Sequence, residues 1–267
     1  MPVYKASALV LRRIPLGEKD KILTLFTREY GKLSAVAKGA RRTTSRLAGA
    51  SEPFMLLKAL LAEGMNLDIL TQCEIVHSFP TLRGDFGLVL RATYACELLD
   101  KLTVERDPAP EAFDLLLSTL YVLQRASDPD AALHAFELQF LALVGYEPRL
   151  DSCARCQRDL SDANPVGGYS PSLGGLLDAT CADLVDDALP ARPETAALMR
   201  RLLASDDART LAQTELSETA RDEIARILRA HLRYRLERTI KSTEFLDAYR
   251  LGAMNLVPST AEPVPNV

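Results

Sequence analysis

Along the first 80 residues apolar and polar positions alternate in short runs broken by Gly and Pro, the two-residue period of strands half-covered by a core. In "YKASALVLRRIPL", Ala8, Val10 and Arg12 fall on one side and Leu9 and Leu11 on the other, predicting a first strand. Ile22, Leu23, Leu25 and Phe26 form a second run, and "GKLSAVAKG" a third, with Gly31 in the turn before it. "EPFMLLKALLAEGMNLDILTQCEIVHSF" supplies two more around a turn at Gly64–Asn66. Beyond about residue 80 the period lengthens to that of helices. "DFGLVLRATYACELLDKLTVE" predicts a helix with Phe86, Val89, Leu90, Thr93, Ala95, Leu98 and Leu102 on its buried face. A second helix opens at Pro110 and Glu111. A third opens after Asp128–Pro129 and stops at Gly145, a natural C-terminal glycine. "RPETAALMRRLLAS" and "SETARDEIARILRAHLRYRLERTIKSTEFL" continue the series, the latter with Ser217 as N-cap.

Five short strands in so small a span suggest a closed barrel, since closure removes exposed edges. The five-stranded version is the OB-fold, whose face and loops bind single-stranded nucleic acid; an SH3-like barrel would produce a similar pattern. The reading is therefore an α+β chain. An N-terminal OB-fold barrel spans residues 1–80, and an all-helical domain is built from 81–149 and 184–250. A zinc-ribbon-like insertion occupies 150–183, and a loose Pro-rich tail 251–267.

Charge sharpens this division. The chain has a formal net charge of −4, yet residues 1–58 hold twelve Lys and Arg against four Asp and Glu, a balance of +8. The rest carries 20 basic and 32 acidic residues, a balance of −12. A basic module on an acidic body is the signature of polyanion binding. The charge peaks in "VAKGARRTTSRLAGA", where Lys38, Arg41, Arg42 and Arg46 stand among small hydroxyls, Gly39 and Gly49, with no acid before Glu52. These four are the primary candidates for phosphate contacts; Arg12, Arg13, Lys19, Lys21 and Lys32 are secondary ones. Tyr4, Phe26 and Tyr30 offer rings that either stack on bases or fill the barrel core. Arg233, Arg235, Arg238 and Lys241 form a second basic feature, spread around a helix as on a solvated face.

The insertion "LDSCARCQRDLSDANPVGGYSPSLGGLLDATCADL" carries Cys153-x-x-Cys156 and a second half-site, Asp178-x-x-Cys181. Thiolates two residues apart converge on a tetrahedral ion, and two such knuckles make a structural zinc site. Asp178 stands where the second knuckle would carry its first cysteine. Two readings stay open, zinc held by Cys153, Cys156, Asp178 and Cys181, and a degenerate site that packs without metal.

Enzyme chemistry has no foothold. Phosphate-binding Gly-rich loops and nucleophile elbows are missing, and His77, His134 and His231 are scattered. His134, in an apolar helix, reads as a core or boundary residue. No run of 18 uncharged apolar residues predicts a membrane span. The N-terminus "MPVYKASALVLRR" lacks a signal peptide's pattern, so a cytoplasmic protein with reduced cysteines is expected.

In order and spacing these pieces resemble the RecO family of bacterial DNA repair and recombination mediators. The carriers are "ALVLRRIPLGEKDKILTLFTREYGKLSAVAKGARR", "FELQFLALVGYEPRLDSCARC", "YSPSLGGLL" and "LERTIKSTEFL", together spanning nearly the whole chain before the tail. The departure is Asp178, where the family usually has cysteine. The resemblance implies a non-enzymatic, nucleoid-associated protein that binds single- and double-stranded DNA and anneals complementary strands. It further implies help in loading the recombinase onto strands coated by single-stranded DNA-binding protein, together with RecR. On the residues alone two alternatives share the basic barrel or the knuckle, an RNA- or ribosome-associated OB protein and a zinc-ribbon transcription regulator.

Overall fold

The computed structural model describes residues 2–236 and 240–250. Its strands are β1 (Val3–Leu16), β2 (Asp20–Thr27) and β3 (Gly31–Ala37), then, after a short helix α1 (Arg46–Ala50), β4 (Leu56–Ala62) and β5 (Asp68–His77). They close into a barrel in the order β1-β2-β3-β5-β4, antiparallel throughout except where β3 meets β5 in parallel at Ala35↔Asp68 and Val36↔Ile69. This is the OB-fold.

β1 explains how the barrel is attached. Ala6, Ala8 and Val10 point inward, with Leu23, Leu25, Leu33, Ala35, Leu57, Leu61 and Leu70. Leu9 and Leu11 face outward, yet they are as buried as the inner set, since with Phe26, Phe54 and Leu56 they join the core of the helical body. Phe26 stacks on Phe113 at 6.3 Å between ring centroids. A register shift then breaks the β1–β2 ladder between Val10 and Arg12, beyond which Arg12–Lys19 are exposed.

The helical body follows, with α2 (Pro80–Gly84), α3 (Phe86–Leu102), α4 (Pro110–Leu123) and α5 (Pro129–Leu143). Asp128 caps α5, its carboxylate accepting from the Asp130 N–H at 3.0 Å, and Gly145 at φ +81° ends the run. The ribbon comprises β6 (Val166–Ser170), β7 (Gly175–Asp178), a four-residue turn of helix α6 (Ala179–Ala182) and β8 (Leu189–Pro190), forming a sheet in the order β7-β6-β8. The chain returns to the body through α7 (Pro193–Ala204), α8 (Ala208–Gln213), α9 (Glu218–Arg235) and α10 (Ser242–Arg250).

Two helical expectations are corrected. The buried face of α3 is Gly87, Arg91, Ala92, Tyr94, Ala95, Cys96, Leu98 and Leu99. Phe86 is 45% exposed and Thr93 lies on the surface. The predicted face was apolar, but the helix is rotated by polar groups that find partners inside. Arg91 forks onto Asp130 with two bonds of 2.9 Å, and the Tyr94 hydroxyl donates to Glu137 at 2.5 Å. The run from Ser217 to Leu246 is not one helix. α9 stops at Arg235, and the N–H groups of Lys241 and Ser242 donate to the Glu97 carboxylate at 3.0 and 2.8 Å, starting α10 against α3.

Barrel and body are also tied by the loop after α3. The Lys32 ammonium donates to the backbone carbonyls of Asp100 and Thr103, and the Arg106 N–H donates to the Lys32 carbonyl at 2.7 Å. Gly31, at φ +66°, lies so close to Asp107 that an added Cβ would sit 2.0 Å from its carbonyl oxygen, which accounts for the glycine.

Candidate nucleic-acid interface and metal centre

One end of the barrel is assembled from the β1–β2 turn and the segment after β3. Gly39, at φ +69°, turns the chain so that its N–H donates to the Asp20 carboxylate at 2.7 Å. The Arg41 N–H then donates to the Lys19 carbonyl at 2.9 Å, and its guanidinium donates to the Gly17 carbonyl. Successive turns follow, from the Arg42 N–H to the Gly39 carbonyl and from the Ser45 N–H to the Arg42 carbonyl, both 3.0 Å. Ser45 caps α1 through its hydroxyl, which accepts from the Leu47 N–H at 3.2 Å. The loop is thus braced by backbone bonds, by Asp20 and Ser45, and by the Arg41 guanidinium on Gly17, while its cationic side chains remain exposed. Lys38, Arg41, Arg42 and Arg46 are all exposed, and among the described residues none forms an ion pair; Lys19, on the adjoining turn, shares that state.

The other basic candidates are placed differently. Arg12 reaches Asp100 at 3.4 Å and Arg13 reaches Glu52 at 3.0 Å, each still half exposed. Lys21 is buried, its ammonium on the Ser51 hydroxyl at 2.9 Å and on Glu52 at 3.1 Å. Lys32 is covered and spent on the body, including Asp100 at 3.1 Å. Lys19, Lys38, Arg41, Arg42 and Arg46 thus stand exposed on the β1–β2 turn and the segment after β3, whereas Lys21 and Lys32 act as braces. Phe26 is fully buried. Tyr4 and Tyr30 pack edge to face at 4.6 Å at the far end of β2 from the loop, and the Tyr4 hydroxyl donates to buried Asp68. Burial first, and then that bond, push the Tyr4 hydroxyl above its ordinary pKa. Arg233 is exposed on α9, and Arg235 lies against Gly174. Arg238 and residues 251–267 lie outside the described residues.

The ribbon gathers its four donors. Ligand atoms of Cys153, Cys156, Asp178 and Cys181 all lie within 4.8 Å of one another. The first knuckle is closed by the Gln157 N–H to the Cys153 carbonyl at 2.9 Å and by the Cys153 N–H to the Arg158 carbonyl at 2.8 Å. The Ala154 N–H fastens it to β7 through the Leu176 carbonyl at 2.7 Å. Asp178 divides its two oxygens. Oδ1 caps α6, accepting from the Cys181 N–H at 2.8 Å and the Thr180 hydroxyl at 2.6 Å. Oδ2 faces the Cys156 thiol at 3.0 Å. Hydrogen bonds from Cys156 and Thr180 hold this carboxyl well below the usual carboxylate range. Burial tends to raise the Cys153 thiol, but backbone N–H groups of the knuckle outweigh it and lower its pKa. Cys181 is pushed up to about 11 by burial and by its bonds to the other donors.

The donor set fits a cation. Oδ1 serves the helix, which leaves Oδ2 as a fourth ligand beside three sulfurs, and zinc takes sulfur at about 2.3 Å and carboxylate oxygen at about 2.0–2.2 Å. The sequence reading missed Arg158, whose guanidinium donates to Cys156 Sγ at 3.3 Å and lies 3.4 Å from Asp178 Oδ2. A basic residue two positions after the second cysteine was its only signal. His134 is buried against Glu137 at 2.6 Å, and His231 lies between the Tyr169 hydroxyl and the Tyr146 carbonyl, so neither joins the ribbon cluster.

The architecture is thus a small OB barrel with a braced cationic loop, joined to a helical body that carries a four-donor ribbon. Residues 1–79 match the family described as recombination protein O N terminal, and residues 83–244 the family described as recombination protein O C terminal. A DNA repair protein RecO of Symbiobacterium thermophilum is 40% identical over 251 residues, covering 94% of this chain and 99% of that protein. Proteins of the same name from Pelotomaculum thermopropionicum and Anaeromyxobacter dehalogenans are each 40% identical over 249 residues, covering 93% and 92% of this chain and 95% and 97% of theirs. The chain belongs to the RecO family and so to DNA repair and recombination. No described helix is long and apolar enough to cross a membrane.

Proposed function

We propose that this protein binds single- and double-stranded DNA through the braced loop, anneals complementary strands and, with RecR, helps load the recombinase onto DNA coated by single-stranded DNA-binding protein. The observation that carries the reading is the set of exposed cations at Lys19, Lys38, Arg41, Arg42 and Arg46, without ion pairs among the described residues, on a chain that is otherwise acidic. Such cations neutralise phosphates and release counterions, an interaction that requires no covalent step. Annealing follows from the same physics, since a surface that screens two strands at once lowers their mutual repulsion. Family membership supports the DNA repair context, and the protein acts there as a mediator, not as an enzyme, in cytoplasm and at the nucleoid. Arg12 and Arg13 widen the interface when their exposed ion pairs with Asp100 and Glu52 exchange for phosphate, because such surface pairs hold only about 0–1 kcal/mol.

The DNA reading is tested by competition. Labelled single-stranded DNA bound to the full chain is challenged with unlabelled DNA or RNA of matched sequence and length, and DNA is expected to compete at least as well as RNA. Preferential displacement by RNA would favour a role on RNA or ribosomes instead.

The ribbon residues Cys153, Cys156, Asp178 and Cys181 are the proposed holders of zinc, which when bound acts as a structural staple. Asp178→Cys is expected to raise zinc affinity, measured by chelator competition, because structural sites favour thiolate. Asp178→Ala is expected to lose the ion together with the α6 cap, at a stability loss of about 1 kcal/mol. Equal affinities in all three proteins would remove Asp178 from the ligand set.

A further inference from the structure

We propose that Cys153 and Cys156 form an oxidation site, at which hydrogen peroxide converts the two thiols to a disulfide that reducing thiols reopen. Four observations converge on this pair. The two sulfurs belong to a cluster no wider than 4.8 Å, so small side-chain rotations bring them to the roughly 2.05 Å of a disulfide. Their backbone turn is already closed at both ends by the Gln157 and Cys153 N–H bonds, so the cross-link requires no large change of chain path. The two differ in access, Cys156 being exposed and Cys153 buried, which divides the roles of attacking and resolving thiol. Finally, the carboxylate of Asp178 replaces what would be a fourth sulfur. A hard oxygen donor holds a soft ion less firmly than thiolate does and leaves these sulfurs less shielded.

The chemistry balances as two steps. Cys156 Sγ attacks one oxygen of peroxide, the O–O bond breaks, and Cys156 becomes a sulfenic acid with release of water. Cys153 Sγ then attacks the Cys156 sulfur, the S–O bond breaks, and a second water leaves with the thiol proton. Two thiols have lost two electrons to one peroxide. The product has consumed two of the four donors, so the ribbon holds either a cation or a cross-link, and the Cys156 contact to Asp178 Oδ2 is given up in the second state. Cys96, buried in the helical core away from this cluster, and Cys73, on β5, serve as internal references.

The full chain, treated with peroxide in the presence of a chelator, alkylated and digested, reports the outcome directly and requires no variant. Alkylatable thiols are expected to fall from five to three. A peptide linking Cys153 to Cys156 should appear, and it should vanish on reduction. Added zinc is expected to slow the loss. Cys153→Ser is expected to leave Cys156 as a sulfenic acid captured by dimedone. The proposal is overturned if all five thiols stay alkylatable. It is overturned equally if Cys156 goes directly to sulfinic or sulfonic acid while Cys153 remains free, or if the link forms to Cys181. None of these outcomes depends on how the barrel binds DNA.

Discussion

Replacement of Asp130 by Asn is expected to destabilise the helical body by about 3–5 kcal/mol, the usual cost of removing one partner from a buried ion pair. Asp130 lies in the first turn of α5, where the helix N-terminus already favours an anion. Three guanidinium groups from three other helices converge on its carboxylate. Arg91 of α3 forks onto both oxygens at 2.9 Å, Arg250 of α10 donates at 2.5 and 3.1 Å, and Arg221 of α9 lies at 3.5 Å. Asn keeps nearly the same volume but removes the charge and turns one accepting oxygen into an NH2 donor facing the guanidinium groups, so the loss reports uncompensated arginines and not a cavity. Arg221 retains Asp128 at 2.8 Å, whereas Arg91 and Arg250 keep no carboxylate among their described partners. Burial by itself would raise the Asp130 pKa, but the Arg91 bonds and the fields of Arg250 and Arg91 outweigh it and hold the group far below its ordinary value. The sign follows. A carboxyl whose folded pKa is depressed contributes its full stability above the unfolded value, near 3.9, and loses it as pH falls toward the folded value. Denaturant midpoints at pH 7 and pH 3 check both points. The midpoint of the natural protein should drop between them by more than that of Asp130→Asn. Equal midpoints for the two proteins at pH 7 would show that the cluster contributes nothing.

This buried network is also where the sequence was least legible. The strands could be read where runs such as Gly31–Ala37 alternate strictly between buried and half-buried positions. The caps at Asp128–Pro129 and Gly145 could be read because helix ends are local chemistry. The face of α3 could not, because Arg91 and Tyr94 look like surface or boundary residues until Asp130 and Glu137 arrive from 39 and 43 positions away. The break before α10 has the same origin, since Glu97 receives its first N–H groups from 144 and 145 residues further on. The candidate sites divide along this line. The cationic loop and the Cys153 knuckle are contiguous and therefore visible. Lys21 and Lys32 read as secondary phosphate contacts beside Arg12, Arg13 and Lys19, and only the distant carboxylates of Glu52 and Asp100 set them apart. Spacing could place Asp178 in the second half-site and leave two readings for it, but not show how its two oxygens divide between helix cap and cluster.

Neutralising Lys38, Arg41, Arg42 and Arg46 together, to Gln at each position, is expected to weaken DNA binding more than any other change in the barrel. These side chains are exposed and make no ion pairs among the described residues, and only Arg41 gives up a hydrogen bond, to the Gly17 carbonyl, so the fold is expected to survive; surface changes of this kind usually alter stability by less than about 0.5 kcal/mol each. Their effect falls on counterion release. With about six phosphate contacts in the natural protein, affinity for duplex DNA falls by roughly 10³-fold between 50 and 200 mM salt. Removing four contacts leaves a fall of only about tenfold over the same range, and the affinity at low salt drops by orders of magnitude. Lys21→Gln, by contrast, should lower stability through the loss of the Ser51 and Glu52 contacts and leave the salt slope nearly unchanged.

The most direct test is therefore the slope of log affinity against log salt for the natural protein and the fourfold variant, measured on the same duplex by fluorescence anisotropy, with circular dichroism to confirm the fold. A slope that flattens by about 3–4 in the folded variant is the expected result. An unchanged slope in a folded variant would contradict the assignment of the loop, and with it the proposed route by which this protein holds DNA.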